Sequence, residues 1–317
     1  MDNVCHSLAG AAIAQSGFAR RFPRATFLAV IGANVPDVDA AVYLFGNSVQ
    51  GVALRRGLTH GILAMVLWPL LLTGIFVVWN RRTTGAQPSP PTVRMMLLAA
   101  TLSVWSHPAL DWLNNYGVRL LMPFSQQWFY GDTLFIVDPF LLVMLGAGWW
   151  LSSRRLRRQA PLSERPARVG LVVALLYIIA MKGMSEATRA AAIRTLAVRG
   201  DGPREVMVAP RALSMRSREV LVRSDSAYDL YEGRVGATGV VLSARIDRVP
   251  TGTDSPNARR ATQTHTGSQF LRWSRFPYFV AGGGSDSGRV FIGDARYARG
   301  SEETWAGTWV TLPSATR

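Results

Sequence analysis

The sequence predicts an α-helical multi-pass membrane domain of about five to six apolar helices, followed by a small antiparallel β-rich domain outside the membrane. Three observations carry this expectation. Hydrophobic residues make up 49% of the 317 and charged residues only 17%, a balance suited to lipid contact. Residues 61–79 run for 19 positions without a charge, about 28 Å as a helix and enough to span a bilayer. From about Ser185 the long apolar runs give way to short segments separated by Gly, Pro, Ser and Asp. The boundary is therefore set between a helical domain of residues 1–184 and a β-rich domain of residues 185–317.

Residues 3–17 are mildly apolar and helical in composition, ending at Gly17. After Arg20, Arg21 and Arg24, residues 25–35 form a second apolar helix stopped by Pro36, with Asp37 and Asp39 directly behind it. A less regular segment leads to His60. Residues 61–79 are the strongest span, and residues 80–94 a Pro-rich basic loop containing the low-complexity stretch 83–92. Residues 95–113 form the next span, kinked or ended near Pro108. Residues 139–151 form another, residues 154–168 a basic loop, and residues 169–181 a last, rather short one. A helical stretch over 186–198 then precedes β-like runs at 205–209, 219–223, 227–233, 239–246, 269–281, 289–295 and 304–312. Gly282-Gly283-Gly284 reads as a turn, because no helical pattern follows it.

The net charge of +15 does not imply nucleic acid. The first 184 residues hold only seven acids, and the basic residues sit in short clusters between apolar runs with no aromatic stacking platform. The single cysteine, Cys5, excludes an intramolecular disulfide. No cleavable leader is expected, since Met1-Asp2-Asn3 does not open a basic stretch followed by a long apolar core. The loops at 18–25, 80–94 and 152–168 carry three, three and six Arg, whereas the alternate connections carry only Arg55, Arg56 and Arg119. That bias places the Arg-rich loops in the cytoplasm and the β-rich domain outside it. With the first two weak segments forming a hairpin, the chain crosses six times and both termini lie outside.

This topology gathers the polar residues at one face. His6, Asp37, Asp39, His60, His107, Asp111, Asp132 and Asp138 all fall at the outer ends of helices. His107 and Asp111 are four residues apart, so both project from one helical face and can hold a metal between them. Ionisable residues at the ends of apolar helices are costly unless they bind something or pair. Taken singly, Asp37 and Asp39 also suit a turn, Asp132 a turn and Asp138 an N-cap before Pro139. Taken together, the eight predict a metal centre. Two or three divalent ions there would activate a water and stabilise a phosphoryl oxyanion. Asp37, Asp39 and Asp111 are the catalytic candidates, with Asp37 or Asp39 a general base. Arg55, Arg56 and Arg119 on the same face would hold an anionic substrate, or contact lipid headgroups.

With these residues in view, the chain resembles the LexA-regulated, membrane-bound metal-dependent hydrolase family (YdjM-like). The resemblance rests on Met1-Asp2-Asn3 with His6-Ser7-Leu8-Ala9-Gly10, Asn34 to Asp39, Arg56-Gly57-Leu58-Thr59-His60, His107 to Asp111, and Pro123-Phe124-Ser125 through Gly131-Asp132 to Asp138-Pro139. Phe270 to Pro277 looks like the exterior domain of longer family members. The resemblance implies a multi-pass bacterial inner-membrane protein and a metal-dependent hydrolase. More distantly, the order His, Asp, His, His-x3-Asp is similar to the zinc phospholipase C and single-strand nuclease superfamily. By that likeness His6, Asp37 or Asp39, His60, His107 and Asp111 would be zinc ligands, Asp111 bridging two ions. The superfamily's later His, His and Glu ligands are missing here, as no His lies between 107 and 265. Either Asp132 and Asp138 take those places or one ion is absent.

The resulting expectation is a phosphoester hydrolase acting on a lipid or lipid-linked phosphate at the outer face of the inner membrane. It would use one to three divalent ions, zinc first and manganese or iron as alternatives. Membrane lipid and a phosphorylated lipid-like substrate are the expected partners, and nucleic acid is not. The rival readings are a non-catalytic scaffold whose metal or polar cluster only fixes the helices, and a transporter. A transporter predicts acids along the depth of the spans, whereas these sit at one end.

Overall fold

The structure is a computed structural model and describes residues 1–45, 48–198, 205–283, 286–299, 302 and 304–312. Helix α1 (Asn3–Gln15) starts at Asp2, whose carboxylate accepts from the backbone N–H groups of Val4 and Cys5 and so satisfies two free donors of the first turn. Helix α2 (Ala25–Asn34) passes into a 3-10 segment, Val35–Ala41, at Pro36. Two short helices, α3 (Val42–Phe45) and α4 (Ser48–Leu54), occupy the stretch expected to be irregular. A 3-10 turn, Leu58–His60, leads into α5 (Ile62–Thr84), which ends at Gly85 with φ +71, the left-handed stop that glycine allows.

Helix α6 (Pro90–Trp112) contains Pro108 and runs on to Trp112, so the proline does not end it. Helix α7 (Pro139–Arg157) begins at Asp138, which caps it, and Pro139, which suits the first helical position. Helix α8 (Arg165–Val198) is a single 34-residue element. It joins the expected last span to the expected separate stretch at 186–198, because Gly183 alone between them costs only about 1 kcal/mol. The basic loop therefore shrinks to residues 158–164.

Two compact units emerge. One comprises Met1–Asp39, Arg56–Gly183 and Ala209–Met215; the other comprises Ala40–Arg55, Met184–Val208 and the chain from Arg216 onward. Among the described residues three stretches are long and apolar enough to cross a membrane: Ala25–Leu44, Ile62–Thr84 and Arg165–Val198. This is fewer than the five to six expected. Polar groups dilute α6 (Arg94, His107, Asp111), and Arg154, Arg155 and Arg157 close α7.

In the first unit, small residues bring the helices close. A Cβ on Gly10 of α1 would lie 2.4 Å from the Ala29 carbonyl oxygen of α2, and one on Gly32 would lie 3.2 Å from Ser103 Cβ of α6. Phe18, Leu28, Leu72, Phe76, Met96 and Val104 fill the core between these helices. At the far end of α1, the Arg168 Nε donates to the Ser16 carbonyl at 2.8 Å, and Arg20 meets Glu164 at 3.1 Å.

The second unit holds two sheets. In one, β1 (Glu205–Pro210), β2 (Ser217–Arg223), β3 (Ala227–Gly236) and β4 (Gly239–Leu242) lie in that order, and β5 (Asp247–Pro250) also pairs with β3. Strand β3 is antiparallel to β2, β4 and β5. Ala192 and Leu196 of α8 pack on Val206, Val208, Val220 and Val222 of this sheet. After helices α9 (Pro256–Gln263) and α10 (His265–Leu271), β6 (Pro277–Ala281), β7 (Arg289–Asp294) and β8 (Gly307–Thr311) form an antiparallel sheet. Helix α10 replaces the first part of the strand expected at 269–281. The expected turn at Gly282-Gly283-Gly284 falls partly outside the described residues, at Gly284. Tyr228 of β3 donates to the Pro277 carbonyl at 2.8 Å, linking the sheets, and burial pushes its phenol up to about 12.

The segment Trp273-Ser274-Arg275-Phe276 is fixed by one buried ion pair. Arg296 Nε and Nη2 donate to Asp294 Oδ1 and Oδ2 at 2.8 and 3.0 Å, and the Ser274 hydroxyl donates to Oδ2 at 2.7 Å. The Arg296 guanidinium lies 4.9 Å from the Trp273 ring centroid. Burial alone would raise the Asp294 pKa; the Arg296 charge and the hydrogen bonds outweigh it and hold the carboxyl below its ordinary value. A carboxyl depressed in the folded state stabilises the fold above its unfolded pKa of about 3.9 and loses that contribution as pH falls further. Asp294→Asn should cost about 3 kcal/mol by leaving the Arg296 charge buried without its carboxylate. Thermal unfolding of the full chain in detergent checks both points: the wild type should lose stability below about pH 4, and the variant should already be lower at neutral pH. An unchanged transition in the variant contradicts the assignment.

Candidate metal centre

The site begins with chain direction. His107 and Asp111 lie on one face of α6, and the imidazole Nε2 sits 3.5 Å from Asp111 Oδ2. The close approach of α2 to α6 lets His107 Nδ1 bond the Ala33 carbonyl at 2.6 Å. A carbonyl only accepts, so Nδ1 carries the proton and Nε2 presents a lone pair. His60, at the end of the 3-10 turn before α5, is oriented the same way. Its Nδ1 lies 2.9 Å from Thr59 Oγ1 and 3.4 Å from Asp39 Oδ2, while Thr59 donates to that same carboxylate oxygen at 3.0 Å. Its Nε2 then faces His107 Nε2 at 3.1 Å. Two ring nitrogens so close share either a proton or a metal ion.

Two carboxylates complete the set. Asp111 Oδ2 is 3.5 Å from His60 Nε2, and Asp37 Oδ1 is 3.9 and 3.7 Å from the His60 and His107 Nε2 atoms. Among the described residues, Asp37, His60, His107 and Asp111 offer four ligand atoms all within 4.8 Å of one another. Around a tetrahedral ion with ligands at about 2.0–2.1 Å, neighbouring ligand atoms stand about 3.3 Å apart. The five separations that involve an imidazole, 3.1 to 3.9 Å, bracket that edge. The donor set fits a divalent transition-metal ion, and its two carboxylates would balance the charge.

The 3-10 backbone explains why Asp37 and Asp39 act differently. With three residues per turn, positions two apart diverge. Asp37 turns toward the imidazoles, its other oxygen held by Asn3 Nδ2 at 3.0 Å. Asp39 stands behind His60, and its Oδ2 accepts from the Arg56 N–H at 2.7 Å. His6 stacks on His107 with ring centroids 3.7 Å apart, its Nε2 3.3 Å from Asp111 Oδ1. Both His6 ring nitrogens are buried without a hydrogen bond of good geometry, whereas Asp111 Oδ2 is already ion-paired.

The remaining expected residues lie elsewhere. Asp138 Oδ1 caps α7 through Phe140 and Leu141 N–H groups, and its Oδ2 accepts from the Tyr177 hydroxyl at 2.9 Å. Asp132 is buried in a left-handed turn at φ +49, outside the four-residue set. Arg55 lies over the Tyr43 ring at 6.0 Å. Arg56 touches the site directly: its Nε is 2.9 Å from Asp111 Oδ2, its Nη1 donates to Asn114 Oδ1 and the Gly117 carbonyl, and its guanidinium lies over Tyr116. Arg119 packs 4.9 Å over Trp128, and its N–H donates to the Arg56 carbonyl. Asn3, Thr59, Asn114 and the Met1 amino group, which lies against Asp111 Oδ1, are the supporting groups that sequence reasoning missed. The Asp2-Asn3 pair beside His6 was the available signal for Asn3; nothing in the sequence pointed to Asn114.

Comparison with known proteins matches residues 1–188 to the family described as YdjM inner membrane protein, a stretch that contains the whole cluster. The chain is 28% identical over 112 residues to the uncharacterized protein YfhP of Bacillus subtilis (strain 168), covering 35% of this chain and 32% of that protein. It is 32% identical over 123 residues to the inner membrane protein YbcI of Escherichia coli (strain K12), covering 38% of this chain and 66% of that one. The chain thus spans about a third of YfhP and just under two-thirds of YbcI. No solved structure matches the chain, so the likeness to zinc phospholipase C rests on residue order alone.

Asp39→Asn should weaken metal binding about 10–100-fold, the usual effect of removing a ligand's orienting partner, without abolishing it. Asp138→Ala should lower stability by about 1 kcal/mol through the lost cap and leave metal affinity unchanged. Titration of the apo proteins with zinc, alongside thermal unfolding, separates the two roles. Loss of metal in Asp138→Ala would return that residue to the ligand set.

Proposed function

The chain belongs to the YdjM inner membrane protein family, and on that premise we infer that it is a metal-dependent phosphoester hydrolase of the bacterial inner membrane. Its substrate is a lipid or lipid-linked phosphate. The observation that carries this reading is the inward-facing quartet of Asp37, His60, His107 and Asp111. A bound divalent ion, zinc by preference and manganese or iron otherwise, supplies an acidified water and a sink for charge on a phosphoryl oxygen. His60 and His107, with Nδ1 tied outward, and the two carboxylates hold it. His6, beside Asp111 Oδ1, would help Asp111 hold a second ion. Asp37 has the most exposed side chain of the quartet, at 9%, and would take the proton from the attacking water. Arg56 pairs with Asp111 and holds it in place.

In the proposed topology α1, α6 and α7 join the three apolar stretches, residues 1–184 form the membrane domain, and residues 185–317 lie outside the cytoplasm with the site. The Arg168–Ser16 and Arg20–Glu164 contacts, at the end of α1 opposite His6, support this arrangement. A structural cluster without catalysis is the second reading, favoured by the many buried partners of Asp111. The two differ in turnover. Full-length protein in detergent, supplied with zinc and phospholipid, should release a phosphorylated headgroup, and Asp111→Ala should lower the rate by at least about 100-fold. No release from any phospholipid by a metal-loaded wild type would favour the structural reading.

A further inference from the structure

Helix α5 carries an apolar furrow whose position is not explained by the metal cluster. Leu58, Leu63, Leu67 and Trp68 line it, with Pro123 on the opposite wall and Thr59 at its head, and it encloses about 640 Å³. Thr59 belongs to the site: its hydroxyl bonds Asp39, its neighbour is the ligand His60, and its carbonyl accepts from Trp68 Nε1 at 3.2 Å. The opposite wall is brought in by Gly61, where a Cβ would lie 2.3 Å from the Met122 carbonyl oxygen. Leu63 and Leu67 are 47 and 62% exposed on a helix apolar enough to cross a membrane, and Leu58, in the 3-10 turn before it, is 62% exposed. Their surroundings are then hydrocarbon.

From Leu63 to Leu71, eight residues along α5, the furrow runs about 12 Å. Half of a hydrocarbon core of about 30 Å is about 15 Å, the reach of one acyl chain in one leaflet. A second furrow continues beyond Leu71 past Gly74 to Arg82, at the other end of the helix. The leaflet whose headgroups lie level with the ligands is therefore matched by the first furrow alone.

We propose that the furrow between Leu58 and Leu71 seats one acyl chain of a phospholipid, so that its phosphate reaches the Asp37, His60, His107 and Asp111 cluster. This deepens the hydrolase reading and rests on it for the fate of the phosphate, but the seating of the chain is testable without turnover. Full-length protein is reconstituted in vesicles of phosphatidylethanolamine and phosphatidylglycerol containing phosphatidylglycerol with a mid-chain diazirine. After irradiation, labelled residues are mapped by mass spectrometry. The expected result is severalfold enrichment at Leu63 and Leu67 over comparably exposed apolar residues of α8 such as Val169, Val172 and Leu176. Leu67→Trp, which fills the furrow from an exposed position, should abolish the enrichment while metal content stays unchanged. Even labelling over α5 and α8, as annular lipid alone would give, overturns the proposal. Enrichment in a protein that binds no metal keeps the lipid seat and refutes only the hydrolase.

Discussion

Taking a carboxylate out of water costs several kcal/mol unless charge and hydrogen bonds replace the solvent, and Asp111 has no exposed surface. Its replacement partners come from every part of the site. Arg56 reaches it from the chain before the 3-10 turn, His6 from α1, His60 from the turn itself and His107 from the preceding turn of α6. Arg56 holds its position in a left-handed backbone conformation at φ +52, and the same residue's N–H fixes Asp39. One buried charge thus ties together segments spread over more than a hundred residues. The site exists because each of them must meet it.

Such convergence requires backbones close enough for short side chains to touch. The small residues supply that closeness: Gly10 against Ala29, Gly32 against Ser103, and Gly61 against Met122. A larger residue at Gly10 or Gly61 would push away the elements that carry His6 and His60. The same economy of bulk leaves the outer face of α5 to large apolar residues, so packing inside and contact outside are divided along one helix.

Much of this was legible in the chain itself, for reasons that particular residues show. The His107-x3-Asp111 spacing predicts a shared helical face, and alternating Arg-rich loops predict that His6, His60 and His107 meet; both are local or topological rules. Separating Asp37 from Asp39 required the 3-10 backbone, which the sequence signals only through Pro36. Asp138 reads equally as ligand or cap until the first turn of α7 is seen to use it. Arg56 was recognised as a charge near the site, but its pairing with Asp111 depends on a tertiary contact across 55 positions. In the second unit, strand periodicity placed most strands, while the last three residues of α10, Gln269 to Leu271, read as the start of a strand because Phe270 and Leu271 favour either state. The Trp273 to Phe276 segment needed Asp294 and Arg296 for its explanation, two residues with no local signature.

The central claim is that the inward-facing imidazoles and carboxylates hold a metal ion. Elemental analysis of the detergent-purified full-length chain, wild type beside His107→Ala and Asp111→Ala, tests it most directly. The account predicts about one or more zinc, manganese or iron ions per chain in the wild type, and loss of that metal in both variants with the helices still formed. A wild type that binds no metal even after reloading would contradict it, and would make the cluster a polar network that only holds the helices together.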